Sequence, residues 1–138
     1  METALPERIT SELEFFVRYA ETDAMGVVHH ASYVVYLEEA RSHYARERGH
    51  SYAEFEASGF YLVVSDLQVR YAAPARYGDS LRAQCWIEEL KSRQITFGYA
   101  IYRQSDGVLC VSAQTRHLCV DKQGQLARIP VQWRTWLG

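Results

Sequence analysis

The residues of this chain best suited to chemistry lie together between positions 19 and 30. An aspartate, a glycine and two adjacent histidines immediately precede a stretch with helical periodicity; they are Asp23, Gly26, His29 and His30. Three further polar residues, Tyr19, Glu21 and Thr22, come just before them. The start of a helix exposes backbone N–H groups without partners and carries the positive end of the helix dipole. Such a place can bind a carbonyl oxygen on which negative charge develops. A carboxylate opposite it, here Asp23, can act as a nucleophile or as a general base.

A purely structural explanation of the same cluster is also open. Aspartate before a glycine turn is common, because its side chain accepts hydrogen bonds from nearby backbone N–H groups. The two histidines can simply pack beside the helix. If both lay on the helix they would diverge, so we do not expect them to bind one metal ion together. The residue types alone do not decide between the two explanations.

The element that must position this cluster is a long helix. Apolar or aromatic residues recur on one face of residues 31–49, at Tyr33, Leu37, Ala40 and Tyr44. Charged residues occupy the other face, and Gly49 is suited to end the helix. Residues 52–57 can add one short helical turn. The strand before the cluster is predicted over residues 13–22.

The rest of the chain has the alternating pattern of half-buried strands. The runs are residues 63–71, 80–90, 94–103 and 107–120, and short connections join several of them. In the first run, Val63, Leu67, Val69 and Tyr71 are predicted to share one face. One helix and an antiparallel meander of about five strands predict an α+β domain, with the sheet wrapped around the helix. A single domain over residues 1–138 is expected, with residues 1–12 loosely ordered.

Composition excludes several functional classes. The chain has 138 residues, 48% of them hydrophobic, and a net charge of −2, so neither disorder nor a general attraction to nucleic acid is expected. No apolar stretch approaches the ~20 residues of a membrane span. The three cysteines, Cys85, Cys110 and Cys119, form no CxxC pair, which favours buried thiols in a reducing cytoplasm. No P-loop, dinucleotide glycine motif or serine-hydrolase elbow is present.

The segment TDAMGVVHHASY resembles the T-D-x-x-G-V-V-x-H-x-x-Y signature of the 4-hydroxybenzoyl-CoA thioesterase family, whose members are hot-dog fold acyl-CoA thioesterases. Further segments resemble the family in the right order: YLEEAR, PARYGDSL, and RHLCVD followed by RIP. The resemblance therefore extends over nearly the whole chain. It implies a hot-dog fold, with a long central helix wrapped by the sheet.

The resemblance also implies roles for particular residues. Asp23 matches the catalytic carboxylate, and His30 matches the position whose backbone N–H polarises the thioester carbonyl. Gly26 matches the glycine that lets the backbone turn close to the substrate, with Val28 and His29 as neighbouring substrate contacts. The turn of Lys91 and Arg93 aligns with the basic turn that contacts the CoA phosphates, although Ser92 stands where some members have a third basic residue.

The predicted function is thus hydrolysis of a short-chain or aromatic acyl-CoA without a metal or organic cofactor. Two alternatives remain: a non-hydrolytic protein that binds acyl-CoA or acyl carrier protein, and a hydratase or dehydratase on the same fold. We expect a cytoplasmic homodimer or homotetramer that does not bind nucleic acid and does not insert into a membrane. An uncovered outer sheet face with Trp86, Val64, Tyr102 and Leu118 supports association, and the resemblance implies an active site between subunits.

Overall fold

A computed structural model describes residues 8–137 of the chain, and these residues form one five-stranded antiparallel sheet with a long helix against it. The elements follow one another as β1 (Thr10–Phe16), α1 (His30–Glu47), α2 (Tyr52–Ala57), β2 (Phe60–Tyr71), β3 (Ser80–Leu90), β4 (Gln94–Arg103) and β5 (Leu109–Asp121). Short 3-10 turns occupy Tyr19–Glu21 and Val131–Leu137. The α+β class and the strand number predicted from the sequence are confirmed.

The long helix lies where its periodicity predicts it. Tyr33, Leu37, Ala40 and Tyr44 are all buried, and the helix packs on β1, β3 and β4. The facing strands bury alternate residues, including Leu81, Ala83, Cys85 and Ile87 of β3 and Ile95, Phe97, Tyr99 and Ile101 of β4. The apolar face of the helix, with its period of 3.6 residues, and the apolar face of the strands, with its period of 2, therefore pack into one core.

The strand order is β1-β3-β4-β5-β2, so the chain does not form the simple meander predicted for it. Only β3, β4 and β5 follow one another as hairpins. The strand β2 pairs with β5 and forms one edge of the sheet, and β1 pairs with β3 and forms the other. Alternation within a strand reports which face is buried, but it does not report which strand is the neighbour.

In the first half of β2, the predicted assignment of residues to the inner and outer faces of the sheet is wrong. Val64 pairs with the buried His117, and the pairing register then shifts at Ser65 before Asp66 meets Arg116. Because directly paired residues share a face, this bulge places Val64 on the helix side of the sheet and Val63 on the outer side. The extra residue inverts the alternation, which a strict period-2 interpretation cannot detect. Val64 therefore does not belong to the predicted outer patch.

The N-terminal predictions also need correction. The first strand is Thr10–Phe16, with Thr10 opposite Trp86, so residues 10–12 are not loosely ordered. Ser11 is buried and accepts a hydrogen bond from Arg48 Nη2 at 2.8 Å, which fixes the start of the strand. The strand ends before residue 22 because Tyr19–Glu21 forms a 3-10 turn. The remainder of the loosely ordered segment, residues 1–7, lies outside the described residues.

Within residues 8–137, no helix has the length and apolar character that crossing a membrane requires.

Candidate active site

The aspartate of the chemical cluster lies in a tight turn. Asp23 Oδ1 accepts hydrogen bonds from the N–H groups of Met25 at 2.9 Å and Val27 at 3.4 Å. The backbone N–H of Asp23 donates to Val27 O, and Gly26 N–H donates to Asp23 O, each at 2.9 Å. Gly26 has φ of 79°, a left-handed conformation that favours glycine. All the hydrogen bonds to the carboxylate reach one oxygen, so within the described residues Oδ2 has no partner.

The helix α1 begins directly after this turn. His29 is its N-cap, and His29 Nδ1 accepts a hydrogen bond from Ala31 N–H at 3.0 Å. Because His29 lies before the helix, its ring does not diverge from that of His30: the two rings stack with centroids 4.2 Å apart. His30 is the first helical residue, and within the described residues its backbone N–H has no acceptor.

One pocket of about 380 Å³ brings the main predicted residues together. Asp23, Val28 and His30 all line it, with aromatic and apolar walls formed by Met25, Val27, Tyr33, Tyr71, Ala72, Ala73 and Pro74. Gly26 shapes the turn beside it. The ring of His29 does not line this pocket, and its capping bond gives it a structural role. Asp23, whose Oδ2 has no partner within the described residues, and His30, the first residue of the helix, thus line the same pocket.

Sequence reasoning gave no role in the site to Tyr71 at the end of β2. Its hydroxyl donates to the carbonyl oxygen of His30 at 3.0 Å, and its ring lies 5.6 Å from that of Tyr33. The hydrogen bond ties the end of the edge strand to the first turn of α1. The only signal available in the sequence was the position of Tyr71 on the inner face at the end of a strand.

The predicted phosphate-binding turn lies elsewhere. Lys91 and Arg93 are exposed in the β3–β4 turn, and Lys91 Nζ is 3.3 Å from Glu89 Oε1. Tyr71 at the pocket is aligned, through Val111, with Ile101 on β4. The β3–β4 turn lies seven residues back along β4, roughly 23 Å from that level. Within one chain, the structure does not bring this turn to the pocket.

Comparison with known proteins assigns this arrangement to a family. The family model described as the thioesterase-like superfamily matches residues 17–137. The chain belongs to the thioesterase-like superfamily. The family and the enzyme class predicted from the sequence, a thioester hydrolase, are confirmed.

Individual relatives of this thioesterase agree with the assignment. It is 37% identical over 124 residues to a putative acyl-CoA thioesterase, YneP, of Bacillus subtilis, covering 90% of this chain and 87% of the relative. It is 36% identical over 105 residues to the acyl-CoA thioester hydrolase YbgC of Escherichia coli, covering 76% and 78%. The crystal structure of Slr0204, a 1,4-dihydroxy-2-naphthoyl-CoA thioesterase from Synechocystis, superposes with a TM-score of 0.87 at 25% identity, covering 93% of this chain and 95% of that one. The predicted hot-dog fold is confirmed.

The thioesterase contains a second turn with the same backbone geometry as the Asp23 turn. Asp121 Oδ1 accepts from Gln123 N–H at 2.9 Å and Gln125 N–H at 3.0 Å, and Gly124 has φ of 81°. The backbone bonds from Asp121 N–H to Gln125 O and from Gly124 N–H to Asp121 O complete the match. The turn itself is therefore a common structural unit. What distinguishes Asp23 is that it lines a pocket together with His30, the first residue of a helix.

A buried polar chain lies in the core outside the pocket. His117 Nε2 contacts Thr115 Oγ1 at 2.8 Å, Thr115 Oγ1 contacts Tyr99 Oη, and Tyr99 Oη accepts from Arg41 Nη1 at 3.2 Å. Burial, reinforced by the positive charge of Arg41, lowers the pKa of His117 to about 3. His117 therefore stays neutral at ordinary pH. This histidine belongs to the core rather than to the site.

Proposed function

We propose that this thioesterase hydrolyses a short-chain or aromatic acyl-CoA to the free acid and CoA. The observation that supports the proposal is the pairing, in one pocket, of the open Oδ2 of Asp23 with the backbone N–H of His30. The thioester carbonyl would accept a hydrogen bond from that N–H, with the helix dipole adding to the stabilisation of the developing oxyanion. A single such donor typically contributes ~10²–10³-fold to kcat.

Asp23 supplies the second half of the reaction. As a nucleophile, Oδ2 would bond to the carbonyl carbon while the C–S bond breaks and CoA leaves as the thiolate, and water would then hydrolyse the mixed anhydride. As a general base, the carboxylate would take a proton from the attacking water. Mass analysis of rapidly quenched enzyme distinguishes the two, because only the nucleophilic route makes the protein heavier by one acyl group.

The walls of the pocket favour an aromatic acyl group within this class. Tyr33 and Tyr71 both line the pocket, and aromatic side chains make favourable offset-stacked or edge-to-face contacts with a bound aryl group. The relative Slr0204 is named for an aromatic substrate, a dihydroxynaphthoyl-CoA. Both observations support an aryl thioester as the first substrate to test.

A second copy of the chain would complete the site. The edge strand β2 has free backbone groups on one side, and its helix-side residues Val64 and Leu67 are 48% and 44% exposed, since α1 packs mainly on β1, β3 and β4. Pairing of β2 with β2 of another copy would extend the sheet and cover this apolar strip. Such a dimer would offer Lys91 and Arg93 to CoA bound at the partner's pocket, a role that the single chain does not permit.

The experiment that tests the proposal is a panel of thioesters assayed by thiol release. Acetyl-, hexanoyl-, palmitoyl- and 4-hydroxybenzoyl-CoA span the candidate acyl groups, and we expect the fastest turnover with 4-hydroxybenzoyl-CoA. Binding of these compounds in calorimetry without release of thiol would instead identify a non-hydrolytic acyl-CoA protein. The same panel presented on acyl carrier protein tests the alternative carrier.

A further inference from the structure

The carboxylate of Glu21, two residues before Asp23, has an unusually complete set of donors. Its Oε1 accepts from the backbone N–H of Arg18 at 2.8 Å and from Tyr36 Oη at 2.9 Å. Its Oε2 accepts from Arg18 Nε at 3.0 Å and Arg18 Nη2 at 2.6 Å. A carboxylate has about four lone-pair positions, and here each oxygen accepts two hydrogen bonds. The side chain is only 14% exposed.

This arrangement excludes a direct chemical role for Glu21. Burial alone would raise the pKa of the carboxyl group, but the hydrogen bonds from Arg18 and Tyr36 outweigh it and lower the pKa. The group therefore stays ionised and has no proton to donate as an acid, and the four donors already occupy both oxygens, which leaves neither open to act as a base or nucleophile. It does not line the pocket that contains Asp23. A role for Glu21 in the reaction must act through its neighbours.

Those neighbours are a residue of α1 and its N-cap, and α1 is the helix that contributes His30 to the pocket. Tyr36 belongs to α1 and is 2% exposed, and the ring of Phe15, 4.6 Å away, packs against it. The backbone carbonyl oxygen of Glu21 accepts a hydrogen bond from the N–H of His29 at 2.8 Å. His29 is the residue that caps α1, immediately before His30. The side chain of Glu21 is thus bonded to the second turn of α1, and its backbone is bonded to the start of α1. The Asp23 turn lies between these two attachments.

We infer that Glu21 is a positioning residue: through Tyr36 and His29 it sets the distance between the Asp23 carboxylate and the N-terminus of α1. The kinetic part of this inference rests on the proposed function. Reactions of this kind are sensitive to placement, since a misplacement of 1 Å can cost ~10²-fold in rate. A loosened loop would therefore reduce kcat more than it weakens substrate binding.

The variant that tests the inference with least disturbance is Tyr36→Phe, which removes one donor and keeps the packed ring. We expect a fall in kcat of roughly 10-fold, as part of the placement effect is lost, with KM changed less than about twofold. The matched control is Tyr99→Phe, which also removes a buried, hydrogen-bonded hydroxyl, on a strand outside the pocket. We expect this control to keep its kcat. Equal kcat values for Tyr36→Phe and wild type would overturn the inference.

Substitutions of Glu21 itself add two readouts that a general loss of stability would not reproduce. Glu21→Gln keeps one acceptor oxygen, so it should retain more kcat than Glu21→Ala. In an Asp23→Asn background, Glu21→Gln should cause no further loss, because it acts through the carboxylate already removed. Full additivity of the two effects would contradict a positioning role.

Amide hydrogen exchange separates this inference from the proposed function. The amides of Asp23, Gly26, Val28 and His29 are hydrogen-bonded within or around the loop. We expect them to exchange faster in Tyr36→Phe but not in Tyr99→Phe, whether or not any thioester is hydrolysed. Unchanged exchange in Tyr36→Phe would refute the positioning of the loop. Changed exchange without hydrolysis would refute only the proposed reaction.

Discussion

Replacement of Asp23 by Asn removes the charge of the carboxylate and changes little else. In the orientation that preserves the turn, the amide oxygen takes the place of Oδ1 and keeps the bonds from Met25 and Val27. The amide NH₂ takes the place of Oδ2, which has no partner within the described residues. The variant should therefore keep the fold of the turn and lose the proposed nucleophile or base.

The expected effects on rate and on stability differ greatly in size. General acid–base or nucleophilic action contributes ~10²–10⁴-fold, so we expect kcat to fall by at least ~10²-fold. A hydrogen bond to a charged acceptor contributes ~1.5–3 kcal/mol, against ~0.5–1.5 kcal/mol for a neutral one. Because Asp23 is half-exposed, we expect the free energy of unfolding to change by about 1 kcal/mol or less.

The turn at Asp121 supplies the matched control within the same molecule. Asp121→Asn makes the same chemical change in a turn with the same hydrogen bonds, so its effect on stability should be similar. Asp121 does not line the pocket, so we expect the kcat of Asp121→Asn to equal that of wild type. Thiol release from the preferred thioester and urea unfolding measure the two quantities. An Asp23→Asn enzyme with full kcat, or an equal loss of kcat in Asp121→Asn, would refute the reasoning.

Four further changes test other parts of the structure. His30→Pro removes the backbone N–H at a helix position that tolerates proline, so we expect kcat to fall ~10²–10³-fold, whereas His30→Ala keeps the N–H and should stay within a few-fold of wild type in thiol release. The double variant Lys91→Ala/Arg93→Ala should raise KM for acyl-CoA several-fold with kcat nearly unchanged, and it should barely affect an acyl-pantetheine substrate, which lacks the phosphates. Equal losses of kcat/KM on both substrates would exclude phosphate binding by this turn. Leu67→Glu should shift the mass measured by light scattering at micromolar concentration from dimer or tetramer toward monomer, and a monomeric wild type would exclude the proposed assembly. The pKa of His117 is about 3 in the folded chain and ~6.5 in the unfolded chain, so only the unfolded chain takes up a proton there as the pH drops below ~6.5. The free energy of unfolding should therefore fall by up to ~1.4 kcal/mol per pH unit. His117→Gln should reduce this difference between urea titrations at pH 7 and pH 5.

The sequence predicted the parts of the fold that depend on short-range pattern. The buried face of α1 and the buried alternation of β4 are both confirmed, because apolar periodicity directly reports which side of an element is covered. The short helix over residues 52–57 has the predicted bounds. The cluster from Tyr19 to His30 could be selected from its residue types and its place before a helix, whereas the roles of Asp23 and His30 came from the family resemblance and stay predictions.

The features that the sequence did not predict depend on long-range pairing. The bulge at Ser65 inverts the faces of half of β2, and no local signal marks the extra residue. The pairing of β2 with β5 places the β3–β4 turn and the pocket at opposite ends of the sheet, which spacing along the chain cannot show. The distance between Lys91 and the pocket is accordingly a property of the topology.

The two aspartate turns show why a motif by itself did not decide the function. Asp23 and Asp121 have the same side-chain acceptors, the same backbone bonds and a left-handed glycine three residues later. The hydrogen bonds of the turn are enough to explain why an aspartate stands at position 23, without any chemical role. The same explanation accounts for Asp121. The difference lies in the next element of the chain, because His30 begins a helix directly after the first turn, while the chain after Asp121 continues as an irregular segment until Val131. The chemistry proposed for Asp23 therefore depends on the free N–H of the helix and on the contacts that hold the helix start beside the Asp23 turn.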